Sequence, residues 1–114
     1  ANLVISVSEA VASFDDDRAC ETRVFIGNEP AGRIAVGPRS QERRWGARLA
    51  VGNHLLRLEQ WYLPAAGDWA ALDAAGQPVE RFVRVETGQR TVVALKFSEE
   101  GRRHSLEVSR QPLP

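Results

Sequence analysis

Thr91-Val92-Val93-Ala94-Leu95-Lys96-Phe97 is the stretch that decides the fold class. Thr91, Val93, Leu95 and Phe97 fall on one side of an extended chain, and Val92, Ala94 and Lys96 on the other. Period two is the mark of a strand with one buried face, whereas a helix needs apolar positions three and four apart. The same alternation continues on both sides. Upstream, Val83 and Val85 alternate with Arg84 and Glu86 before Gly88; downstream, Glu99-Glu100-Gly101-Arg102 makes a turn, and Leu106 and Val108 alternate with Ser105, Glu107 and Ser109. These three runs predict an antiparallel meander that Pro112 and Pro114 bring to a stop.

The earlier part of the chain has the same grammar. Leu3, Ile5 and Val7 alternate with Val4, Ser6 and Ser8, and residues 13–18 form a polar loop. Thr22–Ile26 and Arg33–Val36 are β runs around Gly27-Asn28-Glu29-Pro30, a connection that predicts a hairpin. Residues 39–48 are polar and arginine-rich around Trp45, Leu49-Ala50-Val51 is read as a short strand, and Gly52-Asn53 as a turn. In the strong strand from His54 to Trp61, Leu56 and Leu58 face one way and Arg57 and Glu59 the other; Leu55 adds an apolar residue to the outer face, so that a second layer is expected over that end. Residues 68–75 admit either two helical turns, with Asp68 as N-cap and Gly76 as stop, or an irregular excursion with a short strand. A helix of that length has little stability alone, which favours the second option. Seven or eight short strands with Gly-rich turns predict one all-β domain over residues 1–114, an antiparallel β-sandwich.

Composition narrows function by exclusion. The 114 residues include fifteen basic and fifteen acidic side chains, so there is no global field to draw the chain to nucleic acid or an anionic membrane. Along the chain the balance is uneven. Residues 1–30 hold six acids against Arg18 and Arg23, while residues 31–60 hold six arginines against Glu42 and Glu59. Solvated loops of opposite sign are the simplest account, and pairing between the two segments the alternative. Lys96 is the lone lysine, an arginine bias that a GC-rich bacterial genome produces. Cys20 is the single cysteine, which rules out an internal disulfide and a thiolate metal cluster. No apolar run approaches the ~20 residues needed to span a bilayer. Residues 1–13 lack a basic start and a continuous apolar centre, so no signal peptide is expected there. Ala1 at the start fits removal of an initiator Met from a cytoplasmic protein, and equally a mature terminus or a domain excised from a longer chain.

Val24-Phe25-Ile26-Gly27-Asn28, then Gly32-Arg33-Ile34, then Leu49-Ala50-Val51-Gly52-Asn53-His54-Leu55-Leu56-Arg57-Leu58, resemble the PEGA-type module and the wider transthyretin-like β-sandwiches. Val83-Arg84-Val85-Glu86-Thr87-Gly88-Gln89-Arg90-Thr91-Val92 resembles the later Gly-to-Val step of that pattern. The Thr-Pro pair usual after the family's central turn is missing, and Trp61-Tyr62 stands where Gly and an aromatic are usual. The resemblance implies a non-catalytic module that anchors, spaces or binds a surface.

Residues suited to chemistry are few. His54, His104 and Cys20 match no metal spacing, and Cys20 lies beside Glu21, which opposes thiolate formation. Asp15-Asp16-Asp17 loosely resembles an acidic Ca²⁺ loop, with Asp68 or Asp73 as further ligands, but lacks the spaced ligands and glycine of an EF-hand. There is no GxSxG, phosphate loop or HExxH, so an enzyme is not expected and no cofactor is called for. Arg and Trp are favoured interface anchors, which nominates Arg39, Arg43, Arg44, Trp45 and Arg48, and with them the aromatics Trp61, Tyr62 and Trp69, as contacts to a protein partner. Nucleic acid is disfavoured by the zero net charge. A carbohydrate stacked on the aromatics, or calcium, is the alternative ligand, and self-association through open sheet edges is a further expectation.

Overall fold

Alternating burial runs through the strands of the computed structural model, which describes residues 1–13 and 17–114. In β1 (Leu3–Glu9) every second side chain is buried, and β8 (Gln89–Ser98) repeats the pattern from Thr91 to Phe97. The other strands are β2 (Ala19–Ile26), β3 (Glu29–Pro38), β4 (Arg43–Ala47), β5 (Gly52–Tyr62), β6 (Ala70–Ala71), β7 (Val79–Val85) and β9 (Arg103–Pro112). They form two packed sheets, one of four strands in the order β4-β1-β8-β9 and one of five, in which β3-β2-β5 is extended by β6 and β7 along the far side of β5. The all-β sandwich is therefore the fold. Among the described residues no helix is long and apolar enough to cross a membrane.

The core lies between the sheets. Leu3, Ile5, Val7, Val93, Leu95 and Phe97 come from one side, and Val24, Ile34, Leu56, Leu58, Val79 and Val83 from the other. Each such side chain contributes about 1.5–3 kcal/mol when fully buried. The hairpin β2–β3 turns on Gly27 (φ +59°) and Asn28 (φ +67°), the two successive positive φ values that a two-residue type I′ turn demands. The turn is fastened to the sheet by the Gly27 N–H, which donates to the Leu55 carbonyl at 2.9 Å.

Three expectations are corrected. First, β1 and β8 are parallel, in register from Leu3 opposite Thr91 to Glu9 opposite Phe97, so the sandwich is mixed at its centre. Second, β7 does not extend the β8–β9 hairpin: it pairs with β5 in the other sheet, and residues 86–88 carry the chain across the sandwich. Alternation tells which side chains face the core, but not which backbone lies alongside. Third, the arginine-rich segment contains strand β4, whereas Leu49-Ala50-Val51 does not form one. Arg43 and Trp45 take the inward places of β4, so charge hid its period. Asn2 does for Leu49 what a strand would: its Nδ2 donates to the Leu49 carbonyl at 2.9 Å and its Oδ1 accepts from the Leu49 N–H at 2.8 Å. Of the two options for residues 68–75 the favoured one is found: no helix forms, and Ala70 and Ala71 pair with Tyr62 and Trp61 as a short strand. Leu72, the one large aliphatic there, packs against the core instead. A 3-10 turn at Glu99–Gly101 makes the expected β8–β9 connection.

Candidate functional site

The segments nominated by sequence separate into buried and exposed parts. Arg39 is 3% exposed and is held by Glu9 at the end of β1. Its Nε donates to Glu9 Oε2 at 2.9 Å, and its Nη2 bonds the same oxygen. Tyr62 completes the group, with its hydroxyl donating to Glu9 Oε1 at 2.8 Å and its ring 5.3 Å from the guanidinium. Burial, then the bond to Glu9, push the Tyr62 hydroxyl well above its ordinary pKa. Burial opposes the Arg39 charge, but the Glu9 hydrogen bond and charge outweigh it and hold the guanidinium above its usual value. The acidic first quarter and the basic second quarter of the chain thus do meet, in a buried ion pair. Beside it opens a cavity of about 250 Å³, lined in part by Arg18, Tyr62, Leu72, Asp73 and Glu100.

Arg43 is likewise turned inward and donates to the Cys20 carbonyl at 3.4 Å. Trp45 is half-buried and plugs the open side of the sandwich: a Cβ built on Gly32 would stand 2.6 Å from its indole nitrogen. Arg44 and Arg48 are exposed, and Arg44 pairs with Glu42 at 3.2 Å. Trp61 and Tyr62 are adjacent on β5 and project to opposite faces; Trp69 is half-buried before β6. The three aromatics do not make one stacking surface.

A different surface is built by strand register. On the outer face of the five-stranded sheet, Leu55 stands opposite Phe82, Arg57 opposite Glu80 and Phe25, Arg23 opposite Glu59, and Trp61 opposite Glu21. Arg23 lies 3.7 Å over the Trp61 ring and Arg57 4.2 Å over Phe25. Each arginine also meets a carboxylate, Glu21 at 2.9 Å and Glu59 at 3.5 Å, and the Trp61 indole donates to Glu59 at 3.2 Å. The result is a neutral ladder of clamped aromatics. Phe82, at its end, is 71% exposed. Leu55 marked this face as apolar in the sequence, but among the described residues the second layer expected over it does not cover Phe82; Phe25 and Phe82 carry no signal there until the register places them on the same face.

Between β6 and β7 the flank of β5 is left without a strand at Glu59 and Gln60, and the Leu72 N–H donates to the Gln60 carbonyl at 2.8 Å in its place. This notch holds a cavity of about 110 Å³ lined by Gln60, Trp61, Leu72, Gln77 and Pro78 among others. Gln60 is 2% exposed; its Oε1 accepts from the Thr22 hydroxyl, while its Nε2 and the Oε1 of Gln77 have no hydrogen-bond partner among the described residues.

Cys20, His54 and His104 do not converge in the hydrogen bonds they make. The ring of His54 donates to the Ala50 carbonyl at 2.7 Å, and that of His104 accepts from Gln77 at 3.3 Å. Burial pushes the Cys20 thiol up to about 11, away from nucleophilic readiness. Most of the Asp15–Asp17 run lies outside the described residues. Asp17 spends both carboxylate oxygens on Ser40, at 2.8 Å from its N–H and 2.7 Å from its hydroxyl, and these bonds, the hydroxyl's first, hold its carboxyl below the usual range. Among the described residues no three His, Cys, Asp or Glu side chains group to hold a metal. Compared with models of known families, with curated proteins and with solved structures, the chain matches none.

Proposed function

We propose that this chain is a non-catalytic protein-interaction module, and that its partner docks on the outer face of the five-stranded sheet, where Phe82 stands uncovered beside half-buried Leu55. The observation that carries this reading is the 71% exposure of Phe82 beside an apolar cross-strand neighbour. A large aromatic left in water at the end of a rigid ladder is an anchor awaiting a pocket. The clamped arginines support a protein over nucleic acid, because each already has a carboxylate within 3.5 Å and little charge is left for phosphate. The resemblance to PEGA-type and transthyretin-like modules supports the same reading, since those are non-catalytic. The test is a benzoylphenylalanine photocrosslinker placed at position 82 and, as control, at exposed Ser109 on the other sheet. Heavier adducts from position 82 and none from 109 are expected. Equal yields from both positions, or none from either, would refute the assignment.

The notch favours a second reading, a small neutral ligand. A donor and an acceptor line a cavity smaller than the roughly 150 Å³ that holds benzene. That space suits one hydroxylated edge of a sugar, with oxygens that accept from Gln60 and donate to Gln77. A thermal shift across monosaccharides tests it: at ten times Kd a ligand adds about 1.4 kcal/mol of stability. A flat response across the panel, or one that persists in Gln77→Ala, counts against it.

A further inference from the structure

We infer that the partner of the Phe82 face is a second copy of this chain, paired β7 to β7 across a two-fold axis through Phe82. This rests on the docking reading above and narrows it to one occupant.

Strand β7 is an open edge of the sandwich, and among the described strands the one with a large aromatic exposed at its centre. Among the described strands it pairs with β5 alone, through seven consecutive register positions without a bulge. Three of the other edges carry the usual protections. Strand β3 has Pro30, Pro38 and two register shifts, β4 has five residues and β6 has two; β9 is a second long edge without a bulge, but it exposes no large apolar side chain. Strand β7 has no lysine and begins after its only nearby proline.

The backbone faces the right way. The Arg84 carbonyl accepts from the Thr91 hydroxyl at 2.7 Å and from Arg110 at 3.2 Å, so it points away from β5. Antiparallel pairing alternates which residues turn toward a neighbour, and Phe82 and Glu80 therefore turn their N–H and C=O to the same open side. A ladder centred on Phe82 joins the two Phe82 residues through a reciprocal pair of bonds. It adds a bond from each Arg84 N–H to the Glu80 carbonyl of the second copy, and leaves the Arg84 carbonyl to Thr91 and Arg110.

The side chains select that register. Glu80, Phe82 and Arg84 are all exposed on one face. With the axis at Phe82, the two rings meet each other and Glu80 stands opposite Arg84 of the second copy on both sides. Moving the axis to Val83 sets Glu80 against Glu86 of the other chain, and moving it to Arg81 sets arginine against arginine. Like charges directly opposite are destabilising and opposite charges favourable. The present pairing of Arg84 with Glu86 at 3.1 Å is solvent-exposed and gives way at little cost.

Charge reversal gives the test, read by sedimentation equilibrium on the folded chain. The wild type is expected to dimerise at roughly 10–100 µM, as suits a small interface. Glu80→Arg and Arg84→Glu each place two like-charge pairs across the axis and should weaken association by about tenfold. The double variant restores both pairs in reverse and should return to within about threefold of wild type. Circular dichroism confirms that each variant is folded. A wild type monomeric throughout that range, single variants that dimerise normally, or a folded double variant as weak as the singles overturns the inference. Adducts from position 82 to another protein, with the chain itself monomeric, would overturn this inference alone and leave the docking reading standing; no adducts and no dimer would end both.

Discussion

Replacing Glu9 with Gln changes almost no volume and removes one charge from a pair whose side chains are 3% and 1% exposed. In the wild type Glu9 accepts from Arg39 through both Nε and Nη2 and from the Tyr62 hydroxyl. A neutral amide keeps one oxygen for these donors and turns its NH₂ toward another. The buried Arg39 charge then loses the carboxylate it is bonded to, a change that costs up to about 3–5 kcal/mol. Replacing both partners together, as in Glu9→Leu with Arg39→Met, removes the desolvation of two charges and should cost less than the single change. Urea unfolding followed by tryptophan fluorescence reads both, with a slope of about 1–3 kcal/mol per molar for a domain of this size. The midpoint of Glu9→Gln should fall by well over ~1 M, and that of the double variant should lie above it. A loss below about 1 kcal/mol for Glu9→Gln would show that the pair contributes no more than a surface contact. A double variant weaker than the single would show that the ion pair itself, and not the relief of an uncompensated charge, carries the stability.

Stability should fall on the alkaline side. The folded-state pKa values of Cys20 and Tyr62 are both raised, so at high pH the native chain binds more protons than the unfolded one, and stability declines as pH rises. For Cys20 the decline begins near its ordinary 9.0 and continues to about 11, with a limiting slope of about 1.4 kcal/mol per pH unit. Tyr62 adds its share above its ordinary 10.0. Cys20→Ala should flatten the first part of a plot of midpoint against pH, and an unchanged profile would contradict the burial of the thiol. Gly32→Ala should cost about 1–3 kcal/mol by forcing the Trp45 indole off the sheet, visible as a red shift of its fluorescence; a neutral variant would mean that the plug is loose.

Much of the architecture was legible because burial follows alternation. Thr91 to Phe97, Leu3 to Val7 and the Gly27-Asn28 turn were each readable from local pattern, and the fold class follows from them. What stayed hidden was partnership. Val83 and Val85 have the same pattern whether they lie beside β8 or β5, and only the register that sets Phe82 opposite Leu55 separates the two. In β4 the inward positions are taken by Arg43 and Trp45, so its period is written in residues that read as surface. For the same reason Arg39 and Arg43 were legible as a charged stretch but not as buried ones: the acid that takes Arg39 inward stands thirty positions earlier in the chain. The outer aromatic ladder depended on two registers at once, β2 on β5 and β5 on β7, which no local window contains.

The position of β1 has a consequence for how the chain reaches its native state. It lies in the middle of its sheet, and its neighbours β4 and β8 follow about forty and about ninety residues later. As the chain leaves the ribosome, β2, β3 and β5 can zip together and β4 becomes available to one edge of β1, while the other edge waits for β8. Closing so long a loop before any reward arrives places folding in the slow, millisecond-to-second range. During that wait Leu3, Ile5 and Val7 form an unpaired apolar edge, and the nascent chain is at its most vulnerable to aggregation before β8 is made.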